Sequence, residues 1–149
     1  MTINELKTKS HIIAIEKGFW EDYTRILEKM KKCEFSEDEV KIFKYSFINQ
    51  KLLLIVSEIG ECIEALRNDK LTRIDNDIMD ELYKQSKENP KLFQMRFVHL
   101  IKDTFEDEIS DVFIRLGDLC DGLGIDIEKH LDMKMTFNEL RDKKHNKLF

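Results

Sequence analysis

Apolar residues recur at helical spacing along most of the chain. From Phe97 to Leu123 they fall at Val98, Ile101, Phe105, Ile109, Val112, Leu116, Leu119 and Leu123, in steps of three and four that hold one helix face over several turns. Gly122 and Gly124 end that pattern. A second long helix is predicted from Ser36, a cap residue followed by Glu37, Asp38 and Glu39, to about Leu66, with Asn68-Asp69-Lys70 closing it. Residues 3 to 33 read as one or two amphipathic helices broken at Gly18, with Phe19, Trp20 and Tyr23 on the following turn. Asp75 to Asn89 is polar and weakly periodic, and Pro90 suits the first turn of a new helix. A last helix is predicted from Asp126 to about Arg141, ahead of the basic run Lys143-Lys144-His145-Asn146-Lys147.

Composition strengthens the helical reading. One Pro and 5 Gly in 149 residues, with 37% charged and 42% hydrophobic side chains, suit long helices with a solvated face and argue against a turn-rich β-sandwich. The expectation is a single all-α domain over residues 1–149. A net charge of −5 disfavours general polyanion binding, so no nucleic-acid polymer is expected as partner. Cys33, Cys62 and Cys120 are odd in number and form no CxxC pair, which disfavours a disulfide framework and a zinc ribbon. The N-terminus lacks a basic region followed by an apolar stretch, and no run approaches the roughly 18 apolar residues that span a bilayer. A soluble cytoplasmic protein without membrane contact is the expectation.

Candidate chemistry lies in two acidic pairs set into apolar helices. Glu58 and Glu61, like Glu108 and Asp111, stand three residues apart and share a helix face. On a wheel of about 100° per residue, Ile48, Ile55, Ile59, Cys62 and Leu66 cluster within roughly 40° of one direction; Glu58 falls between Ala65 and Cys62, while Glu64 points away. The same count places Glu108 between Ile101 and Leu119, with Asp111 on the rim. Glu58 and Glu108 therefore point inward. A core-facing carboxylate costs several kcal/mol unless compensated, and of the nearby cations on the second helix only Lys102 and Arg115 are within reach. A divalent cation answers both burial and mutual repulsion; Mg²⁺, with Mn²⁺ as the alternative, suits a set of hard oxygen donors. One ExxE by itself is more often a solvated face, but two on inner rims are harder to reach by chance.

Other sites fail on spacing. No His has Glu three residues before it, as a ferritin-like di-iron bundle needs. HExxH is absent, Gly117 and Leu119 break an EF-hand loop, and Leu123 stands where a phosphate loop needs Lys.

Glu58-Ile59-Gly60-Glu61 followed by Glu108-Ile109-Ser110-Asp111 resembles the ExxE…ExxD signature of the MazG-like, all-α nucleoside triphosphate pyrophosphohydrolases. Lys134-Met135-Thr136-Phe137-Asn138-Glu139-Leu140-Arg141 is similar to that family's Lys-x₃-Asn-x₂-Arg element, with His145 and Lys147 in its tail. The likeness spans most of residues 52 to 147. It implies an oligomeric helical bundle, a homodimer or homotetramer, that hydrolyses a nucleoside or deoxynucleoside triphosphate to the monophosphate and pyrophosphate. It also implies Glu58, Glu61, Glu108 and Asp111 as metal ligands and catalytic residues. The 46 residues between Glu61 and Glu108 exceed those of compact members, making the segment around 69–96 an inserted helical elaboration.

Lys134, Asn138 and Arg141 sit at i, i+4 and i+7 on one helix face, suited to binding substrate phosphates. Residues 129–149 hold six basic against three acidic side chains, a pattern that also fits a solvated helix end. Trp20 reads first as a core or interface aromatic; its functional alternative is stacking on the nucleobase alongside Phe19. The rival to a hydrolase is a non-catalytic helical oligomerisation or adaptor module of the same descent, its acidic faces serving as interface ion pairs.

Overall fold

A computed structural model describes residues 1–141. The basic run at 143–147 lies outside the described residues. Seven α-helices follow in order: α1 (Ile3–Glu16), α2 (Glu21–Lys32), α3 (Glu37–Arg67), α4 (Asn76–Glu88), α5 (Pro90–Leu100), α6 (Phe105–Gly122) and α7 (Ile127–Glu139). No strand occurs among the described residues, so the chain is all-α. None of these helices is long and apolar enough to cross a membrane.

Local chemistry accounts for most boundaries. Thr2 and Glu5 form a capping box at the start of α1, and Ser36 and Glu39 form another before α3, each backbone N–H bonded to the other's side chain. Asn89 ends α4 and its side chain accepts from the Leu92 N–H, with Pro90 at the first position of α5. Helix ends close with left-handed residues. Gly18 and Gly124 take positive φ after α1 and α6, and Asp69 does so after α3, where the Lys70 N–H reaches back to the Ala65 carbonyl at 2.9 Å.

One expectation is met and one changes. The segment around 69–96 is helical as expected, its polar 75–89 stretch forming α4, capped by Asp75. The long apolar pattern from Phe97 to Leu123 is two helices. The Lys102 N–H returns to the Phe97 carbonyl, Asp103 turns left-handed at φ 61°, and Thr104 caps α6 through the Asp107 N–H. The four-residue step from Ile101 to Phe105 keeps the apolar phase across this break, which hides it from a periodicity count.

The helices fall into two compact units, Met1–Ile42 with the chain from Leu116 on, and Phe43–Arg115. In the first, α1 lies close against the end of α6: Lys7 pairs with Asp121 at 3.3 Å and donates to the Ile125 carbonyl at 3.1 Å. Trp20 is buried, its indole N–H donating to Asp118 at 2.7 Å, with His11 on the same carboxylate oxygen at 2.8 Å. Its ring meets His11 and Tyr23 edge to face. Gly122 exists for this ring, since a Cβ there would come within 2.2 Å of the indole.

In the second unit α3 and α6 run antiparallel. The Phe105 N–H bonds the Lys70 carbonyl at 2.9 Å, the Thr72 N–H bonds the Glu106 carboxylate at 2.8 Å, and further along Arg115 meets Glu58. The helices α4 and α5 pack as a hairpin fastened by Arg96 to Glu81 at 2.9 Å.

Candidate metal centre

The buried stripe of α3 runs through Lys51, Ile55, Glu58, Cys62 and Ala65. This corrects the wheel in one respect: Ile59 and Leu66 are exposed, so the covered face is rotated toward Glu58, which sits at its centre. A helix apolar over so wide an arc does not specify which part of the arc finds a neighbour. Glu64 is exposed, as expected.

Glu58 is 4% exposed and Glu108 6%. Glu58, Glu108 and Asp111 each offer a carboxylate oxygen, and the three oxygens lie within 4.8 Å of one another. With bonds of about 2.1 Å, adjacent ligands of an octahedral Mg²⁺ stand about 3.0 Å apart and opposite ones about 4.2 Å, so the three oxygens would draw together by up to about 1–2 Å to take the ion. Asp111, at the rim, is partly exposed. Glu61 is fully on the exposed side of α3 and is not one of the three converging ligands.

Arg115 supplies the protein's own answer to one of these charges. Its guanidinium pairs with Glu58 Oε1 through both Nε and Nη2, leaving Oε2 unengaged by Arg115. Lys102, the other expected cation, pairs with its neighbour Asp103 instead. The Glu108 carboxylate has no hydrogen-bond or ion-pair partner among the described residues, although its backbone N–H donates to the Thr104 carbonyl at 3.0 Å. Its carboxyl is held above the ordinary range, first by burial and then by the charges of Glu61, Asp107, Asp111 and Glu58. Asp111 is raised for the same reasons, burial first, with Arg115 opposing. Burial, followed by Glu108, also pushes the Cys62 thiol up, which keeps it protonated and unreactive. One guanidinium facing this many carboxylates leaves a negative excess, and a hard divalent ion fits the donor set.

Lys134, Asn138 and Arg141 belong to the first unit. Lys134 and Arg141 lie 4.9 and 5.4 Å from the Phe137 ring, and Arg141 reaches the Asn138 side chain at 3.4 Å. All three are exposed; α7 ends at Glu139 rather than at the expected Arg141, so Arg141 lies past the helix and not on one of its faces. Trp20 is buried with its indole nitrogen bonded, while with His11 and Tyr23 it also lines an opening in the first unit.

Sequence reading passed over a cleft in the second unit, formed by α4, α5 and α6. It has a volume of about 670 Å³ and includes Asp111 in its lining. Met79, Leu82, Tyr83 and Ser86 on α4 stand at i, i+3, i+4 and i+7, and Phe93 and Phe97 stand one turn apart on α5; that spacing was the available signal, masked by the polar residues between.

Compared with family models, curated proteins and solved structures, the chain matches none. The site rests on its own geometry.

Proposed function

We propose that the chain is a divalent-cation-dependent hydrolase that converts a nucleoside or deoxynucleoside triphosphate to the monophosphate and pyrophosphate. The observation that carries this reading is the convergence of the Glu58, Glu108 and Asp111 carboxylates, two of them buried. Glu58, Glu108 and Asp111 would hold Mg²⁺ or Mn²⁺, and Arg115, paired through Glu58 Oε1, would keep that carboxylate oriented. When bound, the ion neutralises phosphate charge and makes water more acidic. Glu61, exposed one turn from Glu58, takes the proton of the attacking water and adds a fourth carboxylate to the site. The resemblance of the ExxE and ExxD pairs supports the substrate class, and the all-α architecture is compatible with it.

The test is incubation with a panel of NTPs and dNTPs and Mg²⁺, resolving monophosphate plus pyrophosphate from diphosphate plus phosphate. Monophosphate and pyrophosphate are expected; no Mg²⁺-dependent turnover of any triphosphate overturns the reading. Binding alone is read separately. Millimolar Mg²⁺ is expected to raise the melting temperature over EDTA, by about 2.7 kcal/mol of stabilisation at a hundredfold excess over Kd. An unchanged melting temperature counts against a metal site. The rival adaptor module draws on the Arg115–Glu58 pair, an ion pair that stands without any metal.

Assignment of Lys134, Asn138 and Arg141 to substrate phosphates rests on the resemblance of the α7 element and is tested on its own. Arg141→Ala is expected to raise KM or lower kcat at least tenfold, the loss of about 1.4 kcal/mol or more in binding the transition state, with little change in melting temperature. Lys129→Ala, elsewhere on α7, is the control. Equal kinetic effects from the two would mean general electrostatic attraction and remove the specific role of Arg141.

Self-association follows from α3. Leu52, Val56, Ile59, Ile63 and Leu66 recur along one face and all are exposed, a stripe that a second copy would cover. Light scattering at micromolar concentration is expected to give a dimer or larger, and Ile63→Glu to shift it toward monomer. A monomeric wild-type chain defeats this expectation.

A further inference from the structure

We infer that the cleft between α4, α5 and α6 receives the aromatic base of the nucleotide whose phosphates meet the acidic cluster. The identity of the occupant rests on the hydrolase reading; the existence of an aromatic-ring site does not. The cleft and the cluster share Asp111, so a ligand lying in one has its end at the other. At about 670 Å³ the cleft is within the range of small-molecule sites. Its α4 and α5 walls are apolar and aromatic: Met79, Leu82, Phe93 and Phe97, the last two rings 5.4 Å apart and tilted. Its α6 wall carries Glu106, Asp107 and Asp111, and Lys102, just before α6, lines it too with its charge paired to Asp103, so the wall is acidic on balance.

This division selects the ligand. An acidic wall repels an anion that arrives without a cation, and the apolar walls reward a flat, uncharged end. A molecule that is planar and apolar at one end and metal-binding at the other satisfies both, and a nucleotide is such a molecule. The manner of recognition follows from the polar groups nearby. Ser110 Oγ donates to the Glu106 carbonyl, Ser86 Oγ donates to the Tyr83 carbonyl, and the Glu106 carboxylate accepts from the Thr72 N–H. With these engaged inside the protein, the cleft grips the ring by its face. Stacking tolerates any base, so discrimination among bases is expected to be small and the requirement for an aromatic ring large. The walls formed by α4 and α5 come from the 46 residues between Glu61 and Glu108, which gives that segment a role in holding substrate.

The experiment titrates 2-aminopurine riboside, which carries no phosphate, with the full chain in EDTA, following the quenching that accompanies stacking. Saturable quenching is expected for the wild type. Phe97→Ala is expected to weaken it at least about tenfold, in line with the loss of one stacking partner. Met79→Trp, which fills the cleft from a partly exposed position, is expected to weaken it similarly and decides the matter if Phe97→Ala fails to fold by circular dichroism. Phe113→Ala, exposed on α6 and outside the cleft, is expected to leave it unchanged. No saturable quenching by the wild type, or equal affinity in Met79→Trp, overturns the inference. Hydrolysis of ATP and of tripolyphosphate with Mg²⁺ separates it from the hydrolase reading. Riboside binding without any hydrolysis retires the hydrolase and keeps the cleft; equal kcat/KM for ATP and tripolyphosphate, without riboside binding, keeps the hydrolase and retires the cleft.

Discussion

Glu108→Gln abolishes Mg²⁺-dependent hydrolysis and, in EDTA, melts at a higher temperature than the wild type. The two outcomes share a cause. Glu108 is buried, its carboxylate has no partner among the described residues, and its charge is opposed by burial and by four neighbouring carboxylates. Its raised pKa means the folded chain holds that proton more tightly than the unfolded chain does. As pH rises through the ordinary carboxylate range and then the raised value, the folded state loses stability, and above the raised value the whole penalty is present. Glutamine removes the penalty, so the gain in melting temperature over wild type is full at neutral pH and disappears below the ordinary carboxylate range of about pH 4. With Mg²⁺ the order reverses, because the variant has lost a ligand, and the expected fall in kcat/KM is about a hundredfold or more. Melting curves in EDTA and in Mg²⁺ across pH, with turnover measured alongside, check each part. Wild-type turnover by Glu108→Gln removes the ligand assignment. Glu58→Gln differs in an informative way: it loses the same hydrolysis but also its charged pairing with Arg115, so in EDTA it is expected to be less stable, by about 1.5–3 kcal/mol.

Gly122→Ala destabilises the first unit by about 1–3 kcal/mol, the usual range for forcing one methyl into filled space. The added carbon would stand 2.2 Å from Trp20 Cη2 and 3.1 Å from His11 Cε1. A buried indole cannot swing aside as a flexible side chain does; moving it stretches the bond from its N–H to Asp118 and disturbs the His11 contact to the same carboxylate. Helix propensity offsets little of this, since the advantage of alanine over glycine, about 1 kcal/mol, applies inside a helix and Gly122 is the last residue of α6. Chemical denaturation read by Trp20 fluorescence measures the loss. A neutral or stabilising result would mean the ring relaxes at little cost. Gly60→Ala is the counter-case: no atom lies within 4 Å of its added carbon, so stabilisation is expected there.

Helix starts and stops were readable because their causes lie within one turn. The Ser36 box, the Asn89-Pro90 junction and the Gly124 stop each depend on residues three or four apart, and each was found where the structure has it. The inward direction of Glu58 and Glu108 was readable for a similar reason, since angular position on a helix is a local property. Local pattern did not separate α5 from α6, because the break preserves the apolar phase and is held by Asp103 turning left-handed, a conformation an aspartate adopts without announcing it. Nor did it say which part of the wide apolar arc of α3 is covered: that depends on α6 lying antiparallel along it, which brings Arg115 to Glu58 rather than to Asp111 and leaves Glu108 alone. The partner of Trp20 was equally beyond local pattern: Asp118, 98 residues away in sequence, accepts its N–H. The cleft beside Asp111 belongs to the same class of fact. Residues of α4, α5 and α6 line it together, and an empty volume between helices exists only once they pack, so no spacing within any one of them encodes it.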